Sequence, residues 1–197
     1  MPRRLFLSLR SPYARKVVIL LMEKGLAFEP VPVDLTARSP EFVRASPLGK
    51  VPMLIDEDGT TVFDSTVIAE YLEDRYPETP MLGRTWSARL LERQLDELGD
   101  TLGDQAVAIW QETLRGDTAG AERAQGLARK ALGELGQRAR EGHWPDTFGL
   151  GDAAVICGLG YFALRHGSAL LEEHPEVLRR AGRHAERPSV ATTVPQA

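Results

Sequence analysis

Ser11 is the residue whose position could do chemistry most directly. It stands ahead of Pro12 in Ser11-Pro12-Tyr13-Ala14-Arg15-Lys16-Val17, a serine N-cap followed by proline at the first helical position. A hydroxyl there lies among unpaired backbone N–H groups at the positive end of a helix dipole, so it can donate a hydrogen bond to an anion bound at the same spot. A plain helix cap uses the same atom, and Tyr13, Arg10 and Ser8 are near enough in the chain to take its part. A second set follows in Ser46-Pro47-Leu48-Gly49-Lys50-Val51-Pro52-Met53-Leu54-Ile55. Pro52 has no N–H to give a sheet and forces Val51 to be extended. An X-Pro bond here is a candidate for the cis form, which would turn the Val51 N–H and C=O outward as an edge that an extended peptide can join. Asp64-Ser65 opens a further helix, where orphan N–H groups favour a carboxylate, although the pair is also an ordinary cap. Lys50 could reach another carboxylate or simply be solvated. Together these residues describe a seat for a small acidic peptide.

Such a seat needs a particular frame. Residues 4–9 alternate as a strand, and Val17, Ile19, Leu20, Leu21 and Met22 make a mostly buried helix closed by Gly25. Residues 26–33 read as a second strand, on an edge because of Pro30 and Pro32, and 34–43 as a polar connection with about one helical turn. Strands at 51–55 and 60–63 flank a turn at Asp58-Gly59, and a helix covers 65–75. This order suits a thioredoxin-like sheet whose first two strands run parallel across a helical crossover. Residues 77–85 carry Pro77, Pro80 and Gly83 without periodicity. We therefore expect an α/β thioredoxin-like N-terminal domain over 1–78, a linker at 79–85 and an all-α C-terminal helical domain over 86–197.

In that second domain, Leu90, Leu91, Leu95, Leu98, Leu102, Ile109, Trp110 and Leu114 mark one long or broken helix. Ala124, Leu127, Ala128, Ala131, Leu132 and Leu135 mark another, weakened by the glycines at 116, 120, 126, 133 and 136. Residues 150–164 are nearly apolar all round, as a central helix would be, with Asp152 near its start. A last helix is expected at 175–183, and an irregular end at 188–190.

Composition bounds the function. With 43% apolar and 26% charged residues, a chain of 197 residues is an ordinary soluble globular protein with a sizeable core. A net charge of −4 gives no general attraction to nucleic acid or anionic membrane, so neither is expected as a partner. Cys157, the single cysteine, lies in an apolar run and reads as an inert core thiol without disulfides. Two N-terminal arginines are not followed by an apolar segment, and no apolar stretch approaches membrane-spanning length, so a cytoplasmic protein is expected. His143, His166, His174 and His184 show no metal-ligand spacing with Cys157, and no metal is expected.

The run Pro-Leu-Gly-Lys-Val-Pro-Met-Leu, followed by Phe63-Asp64-Ser65 and a helix ending Glu70-Tyr71-Leu72, closely resembles the glutathione-binding half of cytosolic glutathione transferases. Ser11-Pro12-Tyr13-Ala14-Arg15-Lys16-Val17 is similar to the activating-residue motif of the serine and cysteine branches. The resemblance spans the chain, less closely beyond residue 85.

It implies that Ser11 stabilises the thiolate of glutathione, the co-substrate, while Val51, fixed by Pro52, pairs with its cysteinyl unit. Asp64 and Ser65 would hold the γ-glutamyl end, with Asp64 or an acid of a second subunit meeting the ammonium group, and Lys50 would meet the glycine carboxylate. A cysteine in place of Ser11 would instead imply mixed-disulfide chemistry. The electrophile pocket is expected between the domains at Tyr13, Gln105, Ile109 and Trp110, residues that also fit plain core. A homodimer is implied, with Glu70, Tyr71 and Asp74 near its seam. The family pattern puts a hydroxyl cap three residues before Asp152; here Gly149 stands there, and a weaker cap is expected. The implied activity is transfer of the thiolate to small apolar electrophiles. A transferase-fold binding or regulatory protein, or another glutathione-dependent isomerase, dehalogenase or peroxidase, would share these motifs.

Overall fold

A computed structural model describes residues 1–8 and 10–195. The N-terminal half is built from β1 (Arg4–Leu7), α1 (Pro12–Glu23), β2 (Glu29–Pro32), α2 (Pro40–Ala45), β3 (Met53–Ile55), β4 (Thr61–Phe63) and α3 (Ser65–Arg75). Its sheet has the order β2-β1-β3-β4, with β1 and β2 parallel and the other pairs antiparallel. This is the thioredoxin-like arrangement that the motif order implies. Glu29 and Val33 donate backbone bonds to Arg3 and Leu7 of the β1 segment. By the two-residue period of a strand, Pro30 and Pro32 then turn their missing N–H positions away from the sheet, which leaves the β2 edge unable to recruit another strand.

Several bounds differ from expectation. The second strand covers Glu29–Pro32 rather than 26–33, and the hairpin strands begin two and one residues later than expected. Leu9, the expected end of the first strand, lies outside the described residues, as do Gln196 and Ala197 of the expected C-terminal domain. The polar connection contains α2, capped by the Ser39 hydroxyl accepting from the Phe42 N–H at 3.2 Å. One apolar side chain holds it: Phe42 is fully buried, its ring 6.0 Å from that of Phe6.

The remaining elements are α4 (Trp86–Arg115), α5 (Thr118–Glu141), α6 (Leu150–His166), α7 (Ala169–Glu172), α8 (Pro175–Gly182) and α9 (Pro188–Ala191). The long helix is unbroken, and the glycines do not interrupt α5. The end expected to be irregular forms α9, fastened to α1: Arg187 and Ser189 bond Glu23, and Arg15 donates to the Val190 carbonyl at 3.2 Å. Helices α4 and α6 cross closely because two glycines meet there. A Cβ on Gly99 would lie 2.4 Å from the Ala154 carbonyl carbon, and one on Gly158 would lie 2.3 Å from the Gly99 oxygen. None of the helices among the described residues is long and apolar enough to cross a membrane.

The expected linker, 79–85, belongs to the connection between α3 and α4, and it is anchored. Met81 and Leu82 are buried, and their N–H groups donate to the Glu73 carboxylate at 2.8 and 3.2 Å. The Lys24 ammonium reaches the same carboxylate at 2.6 Å, and the Leu150 N–H donates to the Met81 carbonyl at 2.7 Å. Helix α6 packs on α1 through Ile19, Ala153, Ile156 and Cys157. Burial pushes the Cys157 thiol up to about 12, consistent with an inert core residue.

The cap of α6 is supplied from another helix rather than merely weakened. Glu92 of α4 accepts the Gly151 N–H at 2.7 Å, while Asp152 accepts the Gly149 N–H at 3.3 Å. A Cβ on Gly149 would stand 2.5 Å from a Glu92 oxygen, so the glycine at the hydroxyl position is what admits the carboxylate. Burial pushes the Glu92 carboxyl from an ordinary 4.5 up to about 7; the Gly151 N–H opposes this, and Asp152 adds to it. A raised carboxyl pKa contributes stability below its unfolded value and loses it as pH rises through its folded value. Glu92→Gln keeps a neutral group at every pH. Its stability relative to the parent should therefore rise by roughly 3 kcal/mol between pH 4.5 and pH 7 in urea unfolding. A constant difference would show that Glu92 ionises normally.

Candidate functional site

Ser11 caps α1 with extended backbone, φ −75° and ψ 121°, and its Oγ accepts the Ala14 N–H at 3.2 Å. Its own N–H donates to the Ser8 carbonyl at 3.0 Å. Accepting that bond leaves the hydroxyl proton available to a second group, so the cap and the anion donor are one arrangement. The first turn of α1 holds no acidic residue to offset the positive helix end.

The hydroxyl opens on a cleft of about 940 Å³ between the sheet side and α4. Lys50, Val51, Pro52, Asp64 and Ser65 line the same cleft. The Val51–Pro52 bond is cis, and β3 begins only at Met53, so Val51 stands outside the ladder. Lys50 is exposed, and its carbonyl accepts the Ser46 hydroxyl at 3.2 Å. Asp64 has φ 72° and ψ 133°; among the described residues it alone, apart from glycines, has a positive φ. That conformation is held by its carboxylate, which accepts the Thr66 and Val67 N–H groups at 2.9 and 3.3 Å. Strained backbone of this kind persists where surrounding bonds impose it, and here it turns the chain into α3 with Ser65 buried at the cleft.

The opposite wall comes from α4. Tyr13 and Gln105 line the cleft, whereas Ile109 and Trp110 do not. Glu97, Asp100, Asp104, Ala108 and Gln111 form the facing stripe. At 3.6 residues per turn, positions 109 and 110 fall about 120–140° round the helix from Asp104. Ile109 packs into the helical core instead, and Trp110 lies half-exposed beneath Arg165. The polar positions 97, 100, 104 and 111, with the small Ala108 among them, were visible in the sequence as the complement of the leucine stripe.

Two ionic features went unread in the sequence. Tyr13 donates its hydroxyl to Asp104, and burial, together with that bond, raises the phenol above its ordinary range. With its proton committed and its ionisation suppressed, Tyr13 is a poorer thiolate donor than Ser11. Lys16 is fully buried and reaches Asp96 and Asp100 at 2.7 and 2.6 Å. Burial alone would lower its pKa, and the two carboxylates outweigh this, so the ammonium stays charged. Asp100 is pushed up to about 6, by burial first, with Lys16 opposing. Among the described residues, no three His, Cys, Asp or Glu side chains gather as a metal site.

Residues 5–80 match the model of the glutathione S-transferase N-terminal domain. The chain is 31% identical over 197 residues to an uncharacterized GST-like protein, YibF, of Escherichia coli (strain K12), covering 95% of this chain and 96% of that one. The chain belongs to the glutathione S-transferase family. Among solved structures, a glutathione S-transferase of Methylobacterium radiotolerans in complex with glutathione sulfonate matches with a TM-score of 0.92 and 31% identity, covering 100% of this chain and 96% of that one. One from Methylobacillus flagellatus with glutathione bound matches with a TM-score of 0.90 and 33% identity, covering 98% and 100%.

In this member of the family the cap at Asp64 can be tested apart from any ligand. Asp64→Ala removes the cap and keeps a side chain at positive φ, so it should cost about 1–2 kcal/mol in urea unfolding. Asp64→Gly loses the same cap but accepts that φ freely, and should be the milder change. The reverse order would show that the positive φ carries no strain.

Proposed function

We propose that the cleft binds reduced glutathione and that Ser11 stabilises its thiolate for attack on a small electrophile. The observation that carries this reading is the convergence of the Ser11 hydroxyl, Val51 outside the strand ladder beside a cis proline, and the capped Asp64–Ser65 turn on one cleft. The similarity to two glutathione-site complexes over nearly the whole chain supports it. In this reading Val51 pairs with the cysteinyl backbone, Ser65 and the α3 N-terminus take the γ-glutamyl carboxylate, and Lys50 reaches the glycine carboxylate.

The energetics are sufficient. Lowering a thiol from about 8.5 by two units needs roughly 2.7 kcal/mol of thiolate stabilisation. A hydrogen bond to a charged group contributes about 1.5–3 kcal/mol, and a helix N-terminus about 0.3–1 kcal/mol. Holding the thiolate beside the electrophile supplies the rest of the acceleration. The sulfur electron pair forms the new S–C bond, and the leaving group or the displaced π pair carries the charge away.

Calorimetric titration with reduced glutathione and S-hexylglutathione tests the reading. Both should bind, and the hexyl derivative should bind more tightly; no binding of either removes it. Ser11→Ala should lower kcat by at least ten-fold with little change in glutathione affinity, and unchanged turnover would take the donor role from Ser11. A homodimer is part of the same proposal. Glu70 is engaged with Arg89 and Arg93, and Tyr71 with Asp56, within the chain. Sedimentation at micromolar concentration should return twice the chain mass, and a monomer would contradict the pairing.

A further inference from the structure

The far end of the cleft has a charge that the thiolate chemistry does not use. Arg165, in the last turn of α6, lines the cleft and is half-buried. Its guanidinium carbon lies 5.1 Å from the Trp110 ring centroid and 5.2 Å from that of Tyr161, and its Nε donates to the Tyr161 hydroxyl at 3.1 Å. Half-buried Arg93, Arg138 and Arg187 each meet a carboxylate. Arg165 meets none among the described residues, and its two terminal nitrogens have no hydrogen-bond partner there. A guanidinium held by aromatic faces presents its edge donors in a fixed fork, the geometry that a carboxylate fits.

Resting on the reading that the cleft binds glutathione, we infer that its electrophile carries a carboxylate and that Arg165 is the specificity-determining residue that receives it. The position is compatible with this. Tyr13 meets α4 at Gly103 and Asp104, and Trp110 lies six residues beyond Asp104, or about 9 Å along the helix. A chain of a few carbons on the sulfur, together with the reach of the arginine, spans that gap. The acids on the same wall do not compete at that end. Asp100 is paired with Lys16, Asp104 accepts the Tyr13 hydroxyl, and Glu97 lies on the opposite side of Asp104 from Trp110. The pocket then selects for an anionic group rather than for a purely apolar electrophile. With an ω-halocarboxylate, the S–C bond forms as the carbon–halogen bond breaks, halide leaves with the electron pair, and the carboxylate is unchanged.

Calorimetry with S-(3-carboxypropyl)glutathione and its neutral primary amide isolates the charge. The parent protein should bind the acid about ten-fold more tightly than the amide, the scale of one charge-assisted hydrogen bond at a half-exposed site. Arg165→Gln should bind both at the amide's affinity while its affinity for reduced glutathione stays unchanged, which also reports that it is folded. Arg165→Lys, keeping the charge without the fork, should retain part of the preference. Equal binding of acid and amide by the parent, or a preference that survives in Arg165→Gln, overturns the inference and leaves glutathione binding intact. Failure of reduced glutathione to bind the parent instead overturns the reading beneath it.

Discussion

A lysine ammonium with no access to solvent must be neutralised where it lies, and in this chain Lys16 imposes that demand on the join between two halves. It projects from α1, the helix that Ser11 caps, and the carboxylates that answer it come from Asp96 and Asp100 of α4. Arg93 bonds Asp96 from the other side and continues to Glu70 of α3, so one network ties the sheet side to the long helix. Breaking a buried pair of this kind costs about 3–5 kcal/mol, because the remaining charge is left without a partner. Neighbouring contacts depend on that register: Tyr13 reaches Asp104 one turn further along α4, and the Gly99–Gly158 crossing brings α6 in behind.

The cleft is what this register leaves open. Its floor is local structure of the N-terminal half, namely the serine cap, the cis proline ahead of β3 and the strained Asp64 turn. Its opposite wall is one face of α4, and its far end is closed by Tyr161 and Arg165 of α6. A polar stripe therefore faces a helix N-terminus free of acids. Two of its carboxylates are engaged from α1 itself: Asp100 pairs with Lys16, and Asp104 accepts the Tyr13 hydroxyl.

The legible parts of the sequence were those governed by local chemistry. Ser11-Pro12, Val51-Pro52 and Asp64-Ser65 are signals of a few residues each, and α3 was read to its observed bounds because a cap, a periodic face and Tyr76-Pro77 all agree. Helix α2 was not legible beyond a single turn, because what holds it is the burial of Phe42 against Phe6, a contact across the sheet. The reading of Gly149 as a weakened cap missed Glu92, which is 57 residues away in the chain and ordinary in its own helix. Ile109 and Trp110 were expected at the pocket because an apolar residue on a long helix looks the same whether it faces core or substrate. Only the phase of α4, set by Lys16 and the two glycines, decides which face that is.

The direct measurement is a titration of the glutathione thiol bound in the cleft, followed by the ultraviolet absorbance of the thiolate in the parent protein and in Ser11→Ala. If the serine cap and the α1 N-terminus do what their geometry allows, the midpoint lies about two units below the free-thiol value of roughly 8.5, and Ser11→Ala moves it most of the way back. A midpoint at the free-thiol value in the parent, or one that Ser11→Ala leaves in place, would contradict the assignment of thiolate stabilisation to Ser11.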